Sequence, residues 1–238
     1  NMENIELKPF EIKKVQKIVE SKETESLLEC LESLEIHAES IGEGGNAEVL
    51  AIAEGPFSKV CLKKIKEKPQ IICNSIDREN ELQGKARKAG VRTPLALISL
   101  ETEKGNFFFI EKIIGITVEE ALAAPSKLPE GFSIELFNRE LEEQVNTLHS
   151  AGIYHRDLHA RNVMIDEEGK PVIIDFGTAT EGSGGDFTYE EYATVYNSAS
   201  GRYDQVNGVF KDDKISVRNI KSAFAPIALK IKLTKNNL

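Results

Sequence analysis

The stretch Tyr154-His155-Arg156-Asp157-Leu158-His159-Ala160-Arg161-Asn162, followed after a strand-like piece and a turn by Ile174-Asp175-Phe176-Gly177, constrains this chain more than any other feature. It offers one carboxylate, Asp157, to orient an incoming hydroxyl. It also offers an amide oxygen, Asn162, and a second carboxylate, Asp175. These are hard oxygen ligands of the kind Mg2+ takes when it rides on a nucleotide, with water and phosphate completing its octahedron. For all three to act together, the fold must return separate stretches of chain to one place.

Upstream, Ile41-Gly42-Glu43-Gly44-Gly45-Asn46-Ala47-Glu48-Val49 sets glycines between two strand-like runs. Such a loop lets backbone N–H groups come close to phosphate oxygens, although an ordinary glycine-rich hairpin has the same composition. No Gly-Lys-Ser/Thr follows, so it is not a Walker loop. In the next strand, Val60-Cys61-Leu62-Lys63, alternation puts Cys61 and Lys63 on one face. A lysine there can hold phosphates as a point charge. With Lys64, Lys66 and Lys68 following, a solvated edge lysine is the plain alternative. A buried lysine needs a carboxylate partner. The helix pattern that starts near Asp77 offers Glu79, with Glu81 as the alternative on a different face.

The rest of the chain sets these motifs in order. Residues 3–35 read as two amphipathic helices with a break near Ser21. Short strands and tight turns follow from about 36, including a turn at Glu54-Gly55-Pro56. A helix is expected over 75–89, ended by Gly90, and two strands over 95–100 and 106–114, the second with Phe107, Phe108 and Phe109 buried on both faces. Thr117-Val118-Glu119-Glu120 is a capping box, and a long amphipathic helix runs from Phe132 to Ser150. Strand-like pieces sit at 163–165 and 172–174. A loop over 182–194 carries the hydroxyls of Ser183, Thr188, Tyr189, Tyr192 and Thr194, with Arg156 as a phosphate partner for them. Lys211-Asp212-Asp213-Lys214 opens a last helix; an N-cap is the first reading of its acids, a brace for the 154–162 loop the second.

Composition narrows the class. The 238 residues carry a formal net charge of −9, against a nucleic-acid binder driven by global phosphate attraction. Three cysteines, Cys30, Cys61 and Cys73, are too few and too scattered for a disulfide framework. No run approaches ~20 apolar residues. A cytoplasmic protein is expected, or one delivered to a host cytosol if it is an effector.

Over roughly residues 38–178 the chain resembles the protein-kinase superfamily, whose signature strings it matches in order. The resemblance implies an α+β, bilobal protein-kinase-like fold: a helical extension (1–35), an N-lobe of five antiparallel strands and one helix (36–114), and a shortened helical C-lobe (115–238). It implies ATP and Mg2+ as cofactors. Ile41, Gly42, Gly44 and Gly45 would cover the phosphates, although Ala47 replaces the third glycine. Lys63 would hold phosphates with Glu79 as its partner, Asp157 would be the catalytic base, and Asn162 and Asp175 the metal ligands. Val49, Cys61 and Met164 would line the adenine pocket, Ile110 its back wall, and the backbones of Glu111 and Ile113 the hinge.

The departures bear on the acceptor. His159 stands where Ser/Thr kinases usually have Lys, and Arg161 where tyrosine kinases have Arg. The run from Glu79 to Pro94 looks like that of RIO-type kinases and of the kinase of the tRNA-threonylcarbamoylation complex. No Ala-Pro-Glu follows Gly177, and a reduced peptide-docking half is expected. The expectation is an atypical protein kinase acting on Ser or Thr. The alternatives are a sugar or aminoglycoside kinase, and a kinase-fold scaffold for a partner such as a ubiquitin-conjugating enzyme on the reduced C-lobe.

Overall fold

The computed structural model describes residues 39–51, 60–102, 105–182 and 192–235. The helices expected in 3–35, the turn at 54–56, and Ser183, Thr188 and Tyr189 lie outside the described residues. The described residues form two compact units. One holds the described residues up to Glu81, Leu95–Ile113 and Thr194–Gln205; the other holds Leu82–Pro94, Ile114–Ala193 and the residues from Val206 on. The division is not one cut in the sequence. Leu82, Ala86 and Val91 bury their side chains in the second unit's core, while 194–205 bonds back to residues near 70.

The first unit is built on one antiparallel sheet of β1 (Glu39–Glu43), β2 (Ala47–Ala51), β3 (Val60–Ile65), β4 (Ala96–Thr102) and β5 (Gly105–Glu111), in the order β1-β2-β3-β5-β4. The register sets Lys63 of β3 between Val49 and Phe108. Phe107, Phe108 and Phe109 are all buried, so both faces of β5 are covered and their apolar area supplies much of this core. Helix α1 (Ile76–Lys88) begins where Ser75 Oγ accepts the Arg78 N–H at 3.2 Å. It ends at Gly90, whose φ of +100° costs a glycine little.

The second unit opens with β6 (Gly115–Thr117) and α2 (Val118–Ala123). The capping box at their junction is complete: Thr117 Oγ1 accepts the Glu120 N–H at 3.1 Å, and the Glu120 carboxylate answers the Thr117 N–H at 3.4 Å. Helix α3 (Ile134–Ser150) is capped by Ser133. It buries Phe137, Leu141, Val145 and Leu148, the one-face spacing its sequence shows. Strands β7 (Ile153–Tyr154), β8 (Val163–Asp166), β9 (Pro171–Ile173) and β10 (Thr180–Glu181) follow, and then helix α4 (Asp213–Lys235); between β10 and α4 comes a hairpin of β11 (Tyr192–Asn197) and β12 (Arg202–Asn207), most of which, Thr194–Gln205, belongs to the first unit. The short strands make two small antiparallel sheets, β6-β8-β9 and β10-β7. Phe132, Phe137 and Phe224 pack ring against ring, with centroids 5.6 to 6.1 Å apart, and tie α3 to α4.

The hairpin was not foreseen. Its first strand begins inside the stretch read as a loop over 182–194. Thr194 therefore belongs to a strand, while Tyr192 stands exposed at its start.

Candidate active site

In the first unit the loop between β1 and β2 closes on itself through the Gly44 N–H, which donates to Ala47 O at 2.9 Å. Its glycines have different reasons to be there. A Cβ at Gly45 would lie 2.1 Å from Gln70 Oε1 and 2.8 Å from Gln70 Cβ, so packing against Gln70 disfavours a side chain there. A Cβ at Gly42 would meet nothing within 4 Å, so packing does not explain that glycine. Ile41 is exposed and Val49 half-buried.

Lys63 is buried in β3, and its Nζ donates to Glu79 Oε1 of α1 at 2.5 Å; the two side chains are 9% and 2% exposed. Glu81, the alternative partner, turns instead to Arg78 at 2.9 Å on the surface. Cys61 is buried between Ala51 and Ile110, and burial pushes its thiol up to about 11 against a weaker pull from Lys112. At the end of β5, the Glu111 N–H donates to Leu95 O at 2.9 Å and its Oε1 accepts the Leu95 N–H at 3.2 Å. These bonds fix the backbone that leads to half-buried Ile113.

In the second unit the motif loop is held from several sides. Asn162 Nδ2 donates to Asp157 O at 2.9 Å and to Asp157 Oδ2 at 3.2 Å. His159 Nε2 lies 3.4 Å from the same oxygen. The ring of His155 bridges two motifs: its Nδ1 accepts the Asp157 N–H at 3.2 Å, and its Nε2–H donates to Ile174 O at 2.8 Å. The Ile174 N–H donates to Asn162 O at 3.0 Å, so the β8–β9 register carries Asp175 to the side of Asn162. Asp175 has a φ of +65°, and its Oδ1 accepts the Gly177 N–H at 3.1 Å. Met164 is half-buried on β8, opposite Val172.

The donor set suits Mg2+. Asn162 spends its N–H2 on Asp157, which reserves the amide oxygen as a donor. Asp175 adds a carboxylate from the neighbouring segment, and both are hard oxygens. Among the described residues no three His, Cys, Asp or Glu side chains gather as a metal cluster, and His149, His155 and His159 are each engaged in bracing bonds.

One placement sharpens the sequence reading. Asp212 and Asp213 take one role each. Asp212 Oδ1 caps α4, accepting the N–H groups of Lys214 and Ile215 at 2.9 and 3.0 Å. Asp213 is the brace: its carboxylate accepts the N–H groups of His155 and Arg156 and bonds His149 Nε2 at 2.8 Å. Burial alone would raise the Asp213 carboxyl, but the His149 bond, the electrostatic pull of His155 and the two backbone N–H groups outweigh it and hold it below the ordinary value. Arg156, read as a phosphate partner, is 4% exposed, and its guanidinium lies 3.8 Å above the ring of Phe210.

The family model described as "Protein kinase domain" matches residues 36–200, more than half of the chain. The chain belongs to the protein kinase family. This kinase domain is similar to "Sperm motility kinase 2B" of Mus musculus, with 34% identity over 144 residues, covering 60% of this chain and 29% of that protein. It is similar to "Serine/threonine-protein kinase chk-1" of Caenorhabditis briggsae, with 30% identity over 144 residues, covering 59% and 29%. A solved structure titled "PpkA-294 apo form" matches with a TM-score of 0.48 and 24% identity, over 59% of this chain and 57% of that one. The kinase domain spans less than a third of the length of these curated relatives. Among its described residues no helix is long and apolar enough to cross a membrane.

Proposed function

We propose that this kinase domain transfers the γ-phosphoryl group of ATP, with Mg2+, to a serine or threonine hydroxyl of a protein, as an atypical member of its family. The observation that carries the proposal is the buried Lys63–Glu79 pair. Taking two charges out of water costs about as much as their attraction returns, so such a pair adds little stability over an apolar one. It makes sense as a fixed cation for phosphate oxygens, with Glu79 setting its position.

Residues 36–114 supply the phosphate-holding groups: Lys63, and the loop of Gly42, Gly44 and Gly45, whose fold the Gly44 N–H bond to Ala47 O fixes. Gly42, which packing leaves unexplained, marks where backbone and phosphate come together. Val49 and Cys61 supply apolar surface for the base, and the Glu111 and Ile113 backbones its hydrogen bonds. Residues 115–238 supply the transfer groups. Asn162 and Asp175 would hold Mg2+, which neutralises phosphate charge when bound. Asp157 has Oδ2 engaged by Asn162, and Oδ1 accepts the proton of the incoming hydroxyl. That hydroxyl oxygen attacks the γ-phosphorus as the bond to the β-phosphate oxygen breaks and ADP leaves.

The arginine of His155-Arg156-Asp157 favours a protein acceptor, since small-molecule kinases more often have Gly there. The relative named as a serine/threonine-protein kinase supports the same class. Incubation with γ-labelled ATP, Mg2+ and a mixed protein substrate, followed by hydrolysis to amino acids, should yield labelled phosphoserine or phosphothreonine. Label confined to sugar or aminoglycoside acceptors, with none on protein, would assign the other substrate class.

A further inference from the structure

The segment between β3 and α1 joins two parts of the first unit that the sequence gives no reason to connect. On one side it binds the glycine loop. Lys66 N–H donates to Asn46 O at 2.9 Å, Gln70 N–H to Gly45 O at 3.0 Å, and Ile71 N–H to Asn46 Oδ1 at 3.0 Å. The Gln70 side chain also occupies the space a Cβ at Gly45 would need. On the other side the segment binds the β11–β12 hairpin. Tyr196 N–H donates to Gln70 O at 2.8 Å, Ile72 N–H to Thr194 O at 2.8 Å, and Ile71 bridges Val195. Tyr203 Oη donates to Pro69 O at 2.7 Å, and its ring packs on Tyr196 with centroids 5.3 Å apart. Lys68 Nζ lies 6.0 Å from the Tyr196 ring.

Gln70 is thus bonded through its N–H to the glycine loop and through its C=O to a hairpin more than a hundred residues further along the chain. We propose that the β11–β12 hairpin is a strap that positions the glycine loop, with Gln70 as the connecting residue and the Tyr203 hydroxyl as the latch, and that it thereby sets nucleotide affinity. The last clause rests on the reading that the glycine loop covers the phosphates; the mechanical coupling does not. A loop that must open and close to admit a nucleotide is drawn from the less stable parts of a fold. Here two edges of one short segment restrain it, so releasing the outer edge frees the inner one. Gln70, Tyr196 and Tyr203 are positioning residues in this account, with no role at the reacting atoms.

Two variants separate the coupling from misfolding. Tyr203→Phe removes only the latch hydroxyl and keeps the ring pair. Ile72→Pro removes the N–H bonded to Thr194 O at a position whose side chain is half exposed. Amide hydrogen exchange is read at Tyr196, Gly44 and Lys66, and binding of a fluorescent ATP analogue is titrated with Mg2+ present. Each variant should speed exchange at Tyr196 and, with it, at Gly44 and Lys66 by about three- to tenfold, the worth of one hydrogen bond. The nucleotide dissociation constant should rise by a similar factor, while kcat at saturating ATP stays within about twofold. Faster exchange at Tyr196 with Gly44 and Lys66 unchanged in both variants overturns the strap, and so does unchanged exchange at Tyr196. If Gly44 and Lys66 accelerate but the parent chain binds no nucleotide, the strap stands and the nucleotide reading fails.

Discussion

The carboxylate of Asp213 accepts the backbone N–H of Arg156 at 2.8 Å, although the two residues lie 57 positions apart. Arg156 has a φ of +74°, a left-handed conformation that costs a residue with a side chain about 1–3 kcal/mol. The bonds from Asp213 to Arg156 and His155 hold the backbone in that bend, next to Asp157. A helix that starts far down the chain therefore fixes the geometry of the motif loop.

Asp213→Asn should expose this dependence. The amide keeps one acceptor but presents N–H2 to a second N–H donor, and it loses the negative charge to which the His155 and Arg156 N–H groups donate. The expected cost is about 2–4 kcal/mol in urea denaturation. The parent should also show an acid limb that the variant lacks. The folded chain binds the Asp213 proton more weakly than the unfolded chain, so the unfolded state gains protons first as pH falls. This contribution is complete above the unfolded value of about 3.9 and is lost as pH falls through the lower folded value. Denaturation curves from pH 7 to pH 2 test this, and equal acid limbs for parent and variant would count against the brace.

Breaking the Lys63–Glu79 pair from one side should cost more than removing it. Lys63→Met strands a buried carboxylate, and Glu79→Leu strands a buried ammonium. Each should destabilise by about 3–5 kcal/mol, while the double variant recovers most of that loss. A double-mutant cycle by thermal or urea denaturation reads the coupling. Phosphotransfer should be absent from both Lys63 variants whatever their stability.

Gly42→Ala and Gly45→Ala should part ways. At Gly42 the added methyl meets nothing and the backbone is unstrained, so stability should hold or rise by about 0.4–1 kcal/mol through the stiffer unfolded chain. At Gly45 the methyl meets Gln70, and a loss of about 1–3 kcal/mol is expected. Gln70→Gly should restore the Gly45→Ala variant, whereas Gln70→Ala, which keeps a Cβ at 2.8 Å, should restore it only in part. Calorimetric midpoints of the single and paired variants decide this.

Cys61 should be inert in the folded chain. With its thiol pushed up to about 11, roughly one molecule in a thousand is thiolate at pH 8, and the residue is buried as well. Half-buried Cys73 should be alkylated by iodoacetamide while Cys61 is spared until urea is added; peptide mass mapping distinguishes them. Alkylation of Cys61 at the Cys73 rate without denaturant would show that β3 opens.

Much of the site was legible because local pattern and tertiary role agree there. β-Alternation sets Lys63 on an inward face, helical spacing separates Glu79 from Glu81, and the Thr117–Glu120 box needs only its own four residues. Asp213 was less legible because Asp212 and Asp213 are equivalent by type and adjacency. Only the approach of the start of α4 to the 154–162 loop distinguishes them. The hairpin was missed for another reason. Tyr192-Ala193-Thr194-Val195-Tyr196 has strand-forming residues and Gly201 supplies the turn with a φ of +68°, but most of β12 is exposed, so no clear apolar alternation marked it.

The most direct measurement is transfer of label from γ-labelled ATP to protein, with Mg2+, by the parent chain and by Lys63→Ala, Asp157→Asn and Asp175→Ala. The account predicts labelling by the parent, none by Lys63→Ala or Asp175→Ala, and a fall of about 10²–10⁴ in rate for Asp157→Asn with nucleotide affinity little changed. Undiminished labelling by Lys63→Ala and Asp175→Ala would contradict it.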